Sequence, residues 1–314
     1  MSDAAKDGTT LGELLAAAEQ RLDAAGLAYG HGTHNAHDEA AWLLLWRLGL
    51  PLDSDLEQLA SHPVSSTERE SVQTLLDERI QSRKPAAYLT REAWLQGVPF
   101  YVDERTIVPR SFIAELIADA EGAECLDPWL SQDTRRVLDL CTGNGSLAVI
   151  AALAWPDVLV DAADISADAL AVARINVERH GLQDRIRLLQ SDGWQDLPDR
   201  YDLVLCNPPY VCRAGMASLP AEYLAEPRIA LDGGLEGGDD GMDFIRHLLA
   251  AAPRHMNEGA VLVLEVGNER THFEAAFPQL EAYWPETTAG EGPVVLLTRE
   301  ALLAALPATD PARP

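Results

Sequence analysis

The sequence is poor in lysine, in cysteine and in long apolar runs, and each shortage excludes a class of protein. Lys6 and Lys84 are its only lysines among 314 residues, and the net charge is −26. Because a nucleic-acid backbone binds faces rich in lysine and arginine, this composition disfavours direct nucleic-acid binding. An acidic surface is typical of a soluble protein, and it also attracts a strongly basic protein partner.

The scarce cysteines and short apolar runs argue against a secreted or membrane-embedded protein. No Cys-x-x-Cys pair occurs among Cys125, Cys141, Cys206 and Cys212. We therefore expect free thiols rather than a disulfide framework. The longest apolar run, Leu147 to Trp155, is shorter than the roughly 18–20 residues of a membrane span. The polar start of the chain has no signal-peptide pattern, so we predict a cytoplasmic protein without a membrane partner.

Residues 1–92 are predicted to form a helical domain. Apolar residues at every third or fourth position indicate a helix from Leu11 to Ala25, and Gly26 follows as a stop signal. Asn35 can cap a second helix, and a third covers about 66–82. We expect this domain to recognise the substrate.

The rest of the chain changes character twice. Over 93–110, β-forming side chains broken by Gly97 and Pro99 predict a β-hairpin that links two domains. Over 111–314, apolar strands alternate with helices, which predicts an α/β domain with a parallel sheet covered on both faces. The predicted strands are 136–140, 159–164, 186–190, 202–206 and 260–266. The predicted helices are 147–154, 168–180 and 242–252. Ligands of such sheets bind at the carboxyl ends of the strands.

A glycine-containing turn joins the first predicted strand to the first predicted helix of this sheet. It reads Asp139-Leu140-Cys141-Thr142-Gly143-Asn144-Gly145-Ser146. Glycine lets the backbone approach a ligand where a Cβ would collide. Such a turn alone is equally typical of an ordinary strand-to-helix connection, so its context must decide.

The next two strand ends supply that context. Asp164 ends the second strand and can accept hydrogen bonds from ribose hydroxyls. Asp192 follows the third strand and can accept from an adenine NH2, while Trp194 can cover the ring. Three successive strand ends therefore offer a backbone cradle, a ribose acceptor and a base acceptor.

The ligand predicted from these positions is S-adenosylmethionine. The third glycine of the dinucleotide pattern is absent, which disfavours NAD, and Asp139 is placed for a cationic group. A capping role is the alternative for Asp139. The predicted cofactor-binding residues are Asp139, Cys141, Thr142, Gly143, Gly145, Asp164, Ile165, Asp192, Gly193, Trp194 and Asn207.

The fourth predicted strand ends in Asn207-Pro208-Pro209-Tyr210. Two prolines alone would be typical of a strand terminator. A planar NH2 is a poor nucleophile, because its lone pair is delocalised, and a catalyst must hold both N–H bonds. The Asn207 oxygen can accept one N–H, the Pro208 carbonyl can accept the other, and Tyr210 can pack on the flat face. We predict Asn207, Pro208 and Tyr210 as catalytic, with Pro209 in the same substrate site.

These residues resemble the HemK-type N5-glutamine methyltransferases, from about Tyr29 to Arg299. The resemblance implies a class I, Rossmann-like methyltransferase fold with a seven-stranded, mostly parallel sheet. It implies that S-adenosylmethionine is converted to S-adenosylhomocysteine and that Asn-Pro-Pro-Tyr holds a glutamine amide. Cys141 stands where the family usually has the first glycine of Gly-x-Gly-x-Gly.

Two segments resemble the branch of the family that modifies ribosomal protein L3. One is Tyr29-Gly30-His31-Gly32-Thr33-x-Asn35, and the other runs from Val108 to Ile117. After Arg110, the release-factor branch usually has proline and an acidic-Thr-Glu run, whereas this chain has Ser111, Phe112 and Ala114. The run Glu265-Val266-Gly267-Asn268 also resembles the L3 branch. The implied substrate is a glutamine of L3, either free or within an assembling large ribosomal subunit.

Three alternatives stay open at this stage. A glutamine methyltransferase of peptide release factors would share the motif, and so would an enzyme acting on adenine, guanine or cytosine NH2 groups. The latter needs a basic face, which this chain lacks in composition. A non-catalytic assembly factor would tolerate loss of the cofactor turn, which is intact.

Two further features have competing interpretations. Arg110 could orient the substrate, although pairing with an acidic neighbour is the safer expectation. His31, His34 and His37 are spaced by three, but spacing alone is a weak metal signal and no cysteine accompanies them. We therefore predict no metal.

Overall fold

The computed structural model describes three stretches of the chain, residues 9–118, 126–234 and 238–306. The chain divides into two compact units. The helical unit comprises Met1–Glu92 together with Leu219–Ala225, and the sheet unit comprises Ala93–Ser218 together with Glu226–Pro314. No sequence pattern indicates that Leu219–Ala225 belongs with the helical unit.

Polar side chains cap the start of several helices in Met1–Glu92. These helices are α1 (Leu11–Ala24), α2 (Ala36–Leu48), α3 (Leu56–Leu59), α4 (Ser66–Ser82) and α5 (Ala86–Thr90). The Asn35 side chain accepts the Asp38 N–H, and Ser65 forms a capping box with Glu68. The three helices that the spacing predicts are α1, α2 and α4, and their apolar faces pack into one core.

A buried ion-pair cluster ties Leu219–Ala225 into the helical unit. Arg79 Nε donates to Glu39 Oε1 over 2.8 Å, and both side chains are buried. Glu222 is fully buried as well, 3.5 Å from Arg79 and 2.8 Å from Arg83. A charge removed from water needs such partners, because an unpaired buried charge is costly.

The sheet unit opens with the predicted hairpin. Strands β1 (Ala93–Leu95) and β2 (Val98–Phe100) pair antiparallel, with Leu95 opposite Val98. Gln96 and Gly97 form the turn with φ of +50° and +72°. A two-residue hairpin turn of type I′ requires positive φ at both positions, so this hairpin is closed by the expected geometry.

A mostly parallel sheet with helices on both faces follows, which confirms the predicted fold class. The remaining strands are β3 (Arg136–Leu140), β4 (Leu159–Asp164), β5 (Ile186–Gln190), β6 (Tyr201–Cys206), β7 (Met256–Glu265), β8 (Glu286–Thr287), β9 (Gly290–Glu291) and β10 (Val294–Thr298). The remaining helices are α6 (Ile113–Ala118), α7 (Ser146–Ala154), α8 (Ala167–Arg179), α9 (Arg213–Ser218), α10 (Ala221–Leu224), α11 (Asp243–His255), α12 (Arg270–Ala276) and α13 (Arg299–Ala305).

The central sheet has the order β10-β7-β6-β3-β4-β5, in which only β10 runs antiparallel. It contains six strands within the described residues, so the count of seven is not confirmed. Strand β10 was not predicted, because a short apolar run cannot be assigned to strand or helix from its periodicity.

Alternate residues of the strands face opposite layers of helices. Leu203 and Leu205 of β6 pack in one core with α6, α7 and α8, while Val204 and Cys206 pack in a second core with α11 and α13. This double burial explains why the strands are nearly continuous apolar runs. None of the described helices combines the length and the apolarity required to cross a bilayer.

Candidate active site

A cavity of about 500 Å³ lies where the parallel strands end. Its walls include residues that follow four neighbouring strands, as expected for a ligand site of an open α/β sheet. The predicted site residues that line it are Cys141, Gly143, Asp164, Ile165, Asp192, Gly193, Trp194, Asn207 and Pro209. The predicted residues outside its lining are Asp139, Thr142, Gly145, Pro208, Tyr210 and Arg110.

The turn after β3 depends on two glycines for different reasons. Gly143 has φ +56° and lines the cavity. Gly145 has φ +82°, and a Cβ there would lie 3.2 Å from the Cβ of Ala173 in α8. Both need the left-handed region that favours glycine. Gly145 also allows the close packing of α8, a role that the dinucleotide pattern gives to its third glycine.

Cys141 adopts the backbone conformation of the glycine that it replaces. Its φ is +62°, in the left-handed region that L-residues adopt at a cost of about 1–2 kcal/mol. The neighbouring Cys206 thiol, together with burial, raises the pKa of Cys141. Cys141, Cys206 and Cys212 are free thiols, as expected, and Cys125 lies outside the described residues.

Asp139 is a fully buried carboxyl group with one unsatisfied oxygen. Its Oδ2 accepts from the Thr142 hydroxyl and from the Ala148 N–H. Its Oδ1 has no hydrogen-bond partner in the part of the chain that is described. Burial raises the pKa of Asp139 to about 7, because the charged form loses hydration. A cationic ligand would complete this carboxylate, and the capping of Ala148 shows that Asp139 also braces the turn.

Asp164 is placed for a polar ligand at the end of β4. Its carboxylate accepts from the N–H groups of Gly143 and Ser166, each at 2.9 Å, and burial raises its pKa. A carboxylate has about four lone-pair directions, so two backbone bonds leave capacity for the hydroxyls of a sugar.

A hydrogen bond and a stacking contact hold Trp194, which follows β5, in one position. Trp194 donates from Nε1 to the Leu248 carbonyl at 3.1 Å, and its ring stacks on His255 with 4.9 Å between centroids. It therefore forms a fixed part of the wall. The Asp192 carboxylate accepts from Gln195 at 3.1 Å and lines the same cavity.

The Asn-Pro-Pro-Tyr segment is split between the cavity and its surroundings. Asn207 and Pro209 line the cavity, whereas Tyr210 lies beside it with its hydroxyl donating to Glu265 Oε1 at 3.2 Å. No described group hydrogen-bonds with the Asn207 side chain, so its amide is available to a ligand. Pro208 is buried behind it.

Arg110 makes the acidic pair that was the safer expectation. Its guanidinium binds Glu226 with two bonds, Nη1 to Oε1 at 2.6 Å and Nη2 to Oε2 at 2.7 Å. The Val108 N–H donates to the same carboxylate at 2.8 Å. A fork of this kind fixes the segment that leads into α6.

Comparisons with known proteins identify the family. Residues 119–231 match the Methyltransferase small domain. The ribosomal protein uL3 glutamine methyltransferase of Bordetella pertussis is 50% identical over 296 residues, which are 93% of this chain and 96% of that protein. The enzyme of the same name from Neisseria meningitidis serogroup A is 47% identical over 96% of this chain and 97% of its own.

This chain belongs to the uL3 glutamine methyltransferase family. The predicted resemblance to the L3 branch is thereby confirmed. A more distant similarity, with 17% identity and a TM-score of 0.40, is to the ribosomal protein L11 methylase of Lactobacillus delbrueckii subsp. bulgaricus. That match covers 60% of this chain and 75% of the L11 methylase.

Sequence reasoning missed several parts of the cavity of this uL3 glutamine methyltransferase family member. They include the run Arg105–Ile107 after the hairpin, residues between Pro227 and Gly233, and Phe244 in the first turn of α11. Arg105–Ile107 falls within the segment interpreted as a linker. Phe244 lies on a predicted helix to which no site residue was assigned. Its ring lies 4.0 Å from the position of a Cβ on Gly193, which places it beside the strand end already singled out.

The described residues contain one group with the spacing of a metal site, and it is not the one considered from the sequence. Cys212, Glu269 and His272 bring ligand atoms within 4.8 Å of one another. Both Glu269 oxygens already accept hydrogen bonds, from the Cys212 N–H at 3.1 Å and from His272 Nδ1 at 2.6 Å. Hydrogen bonding therefore accounts for this group without an ion.

Proposed function

We propose that this enzyme transfers a methyl group from S-adenosylmethionine to the side-chain nitrogen, N5, of a glutamine in ribosomal protein L3. The observation that carries the proposal is the position of Asn207. Its amide lines the same cavity as the carboxylate of Asp164. Asn207 follows β6 and Asp164 ends β4, and only β3 lies between these strands in the sheet. A methyl donor and a planar amide can meet there.

The cavity supports S-adenosylmethionine as the donor. When bound, S-adenosylmethionine supplies a methyl group on a cationic sulfur and leaves as S-adenosylhomocysteine. Asp139 would hold the ammonium end through its unsatisfied Oδ1, Asp164 the ribose hydroxyls and Asp192 the adenine NH2. Cys141, Thr142, Gly143 and Gly145 shape the backbone around the donor.

Asn207, Pro208 and Tyr210 would prepare the acceptor. Asn207 Oδ1 accepts one N–H of the glutamine amide, the Pro208 carbonyl accepts the other, and the Tyr210 ring packs against the amide plane, with Pro209 beside it. The nitrogen lone pair would then face the methyl carbon. The C–N bond would form as the bond between sulfur and that carbon breaks, which leaves the thioether of S-adenosylhomocysteine, and the nitrogen would lose its extra proton to water afterwards. Positioning of this kind can supply up to about 7–11 kcal/mol.

Charge and chain organisation support the protein substrate. A chain with net charge −26 attracts a basic ribosomal protein, and electrostatic steering raises the association rate. We assign substrate recognition to residues 1–92, with the hairpin and the Arg110 segment over 93–110 leading to the catalytic domain over 111–314. The reaction takes place in the cytoplasm, on free L3 or on an assembling large subunit, without direct binding to nucleic acid.

The test uses labelled methyl donor with ribosomal proteins, release factors and ribosomal RNA from a strain that lacks the enzyme. We expect label on L3, in a glutamine side chain, and none on the other fractions. Label on a release factor would move the chain to the other branch, and label on RNA would overturn the substrate class.

A pair of asparagine variants tests the site in the same assay. Asn207→Ala should keep cofactor binding and lower the rate of transfer by at least about a hundredfold, because one amide N–H loses its acceptor. Asn257→Ala, at the opposite end of the strands where Asn257 donates to Asp202 at 2.7 Å, should transfer at the normal rate. Normal labelling by Asn207→Ala contradicts the proposed role.

A further inference from the structure

Glu265 is a buried carboxylate on which three donors converge. It ends β7 and is 2% exposed. Its Oε2 accepts from the Ser111 hydroxyl at 2.5 Å and from the Phe112 N–H at 3.0 Å, and its Oε1 accepts from the Tyr210 hydroxyl at 3.2 Å. The donors come from the segment before α6 and from the segment after β6, so one side chain connects both to β7.

The residues around Glu265 also hold the ring of Tyr210. A Cβ on Gly267 would lie 2.6 Å from that ring, and a Cβ on Gly241 would lie 2.1 Å from the Tyr210 carbonyl oxygen. Real Cβ atoms do not approach other atoms so closely, so both positions require glycine. Tyr210 is thus fixed at its hydroxyl by Glu265, at its ring by Gly267 and at its backbone by Gly241.

Stability of the fold alone does not explain a carboxylate buried in this way. A buried carboxylate loses its hydration, and well-packed apolar residues often stabilise a fold better than buried charged groups. Burial raises the pKa of Glu265 to about 7, while its hydrogen bonds and the nearby Arg110 guanidinium oppose that rise. A group retained at this cost next to a predicted catalytic tyrosine calls for a functional explanation.

We propose that Glu265 is a positioning residue for methyl transfer, which fixes the Tyr210 hydroxyl and thereby the ring that packs against the glutamine amide. This inference rests on the function proposed above. Glu265 touches neither donor nor acceptor, and it acts only through Tyr210. In its ionised form it accepts all three bonds. In its protonated form one oxygen carries a proton and donates, so the hydrogen bond from the hydroxyl of Tyr210 or Ser111 to that oxygen is reversed or lost.

Ser111 offers a second probe of this network. Its hydroxyl donates to Oε2 of Glu265, whereas the Tyr210 hydroxyl donates to Oε1. Removing the Ser111 hydroxyl therefore changes Glu265 while the Tyr210 hydroxyl stays in place.

The first experiment is a double-mutant cycle on kcat at saturating donor and L3. Glu265→Gln and Tyr210→Phe should each lower kcat about tenfold. The phenylalanine removes the hydroxyl, and the glutamine replaces one acceptor oxygen by an NH2 group, so the charge-assisted bond between the two side chains is lost in each case. The double variant should be at most about twofold slower than the slower single variant, because both remove the same contact. Multiplying effects, about a hundredfold in total, would show that Glu265 acts independently of Tyr210 and would overturn the inference.

The second experiment measures kcat against pH, which a merely structural role would not move. The charged and titratable groups that act on Glu265 are Tyr210 and Arg110, and Glu226 acts on Tyr210. The wild type should show a rising limb near pH 7, where Glu265 ionises. Ser111→Ala should move that limb to higher pH, because it removes a bond that stabilises the carboxylate, and Glu265→Gln should abolish it. An unchanged limb in both variants contradicts the inference.

Controls separate this inference from the proposed function and from misfolding. Glu258→Gln changes an exposed glutamate of the same strand, and it should leave kcat and the pH limb unchanged. Each variant is checked by thermal unfolding and by its affinity for S-adenosylhomocysteine. If the wild type labels no glutamine, the proposed function fails. If it labels L3 and Glu265→Gln labels at the same rate, only the inference about Glu265 fails.

Discussion

Asp139 and Glu265 are two buried carboxyl groups on the same sheet, and they differ in how completely they are satisfied. Burial raises the pKa of each to about 7. Both oxygens of Glu265 accept hydrogen bonds from the protein, whereas Oδ1 of Asp139 accepts none from the described residues. A buried polar atom without a partner needs an explanation, and the proposed function supplies one. On that proposal the donor provides the partner of Asp139 Oδ1, and the Glu265 network holds the acceptor side before binding.

The largest expected effect distinguishes these two carboxylates by cofactor affinity. Asp139→Asn removes the charge opposite the ligand's ammonium group, so S-adenosylmethionine should bind about tenfold to a hundredfold more weakly. Glu265→Gln should leave the affinity within about twofold, because Glu265 makes no contact with the donor. Calorimetric titration of both variants gives the comparison. Equal losses of affinity in the two variants would mean that Asp139 and Glu265 do not differ in their role toward the cofactor.

Much of this site was accessible from sequence, because motif residues follow strand ends. The apolar runs predicted the strands, and Asp164, Asp192 and Asn207 follow three of them. Phe244 and Glu265 could not be assigned in the same way. Phe244 lies in a helix that carries no motif, and the side-chain donors to Glu265 lie more than 50 residues away in the chain. No local pattern encodes such contacts.

The membership of Leu219–Ala225 in the helical unit was inaccessible for the same reason. It depends on Glu222 meeting Arg79 and Arg83, which are more than 130 residues apart from it. An isolated glutamate in a loop is usually solvated, and only the fold shows that this one is fully buried. Burial of polar side chains was thus the main thing that periodicity could not predict.

A smaller expected effect is the pH dependence of cofactor affinity, which tests the role of Asp139. The raised pKa means that Asp139 is protonated below about pH 7 and charged above it. A cationic ligand prefers the carboxylate, so affinity should rise with pH up to about 7 and then level off, by at most tenfold per pH unit. Asp139→Asn should flatten this dependence. Without ligand the sign for folding is opposite, since a raised carboxyl pKa stabilises the fold at low pH and that contribution is lost as pH rises through 7.

The smallest expected effect is on the free energy of unfolding. It compares backbone strain near Tyr210 with backbone strain in the turn after β3. Around Tyr210 the left-handed positions are glycines, Gly241 and Gly267, whereas the donor turn has Cys141 at φ +62°. Cys141→Ala keeps the Cβ and removes the thiol, while Cys141→Gly removes both. The glycine variant should therefore be more stable than the alanine variant by about 0.5–1 kcal/mol, after allowing for the greater freedom of glycine in the unfolded chain. Urea unfolding measures the difference. A glycine variant less stable than the alanine variant would mean that Cys141 is not strained. The site around Asp139 and the site around Glu265 would then differ only in the hydrogen bonding of their carboxylates.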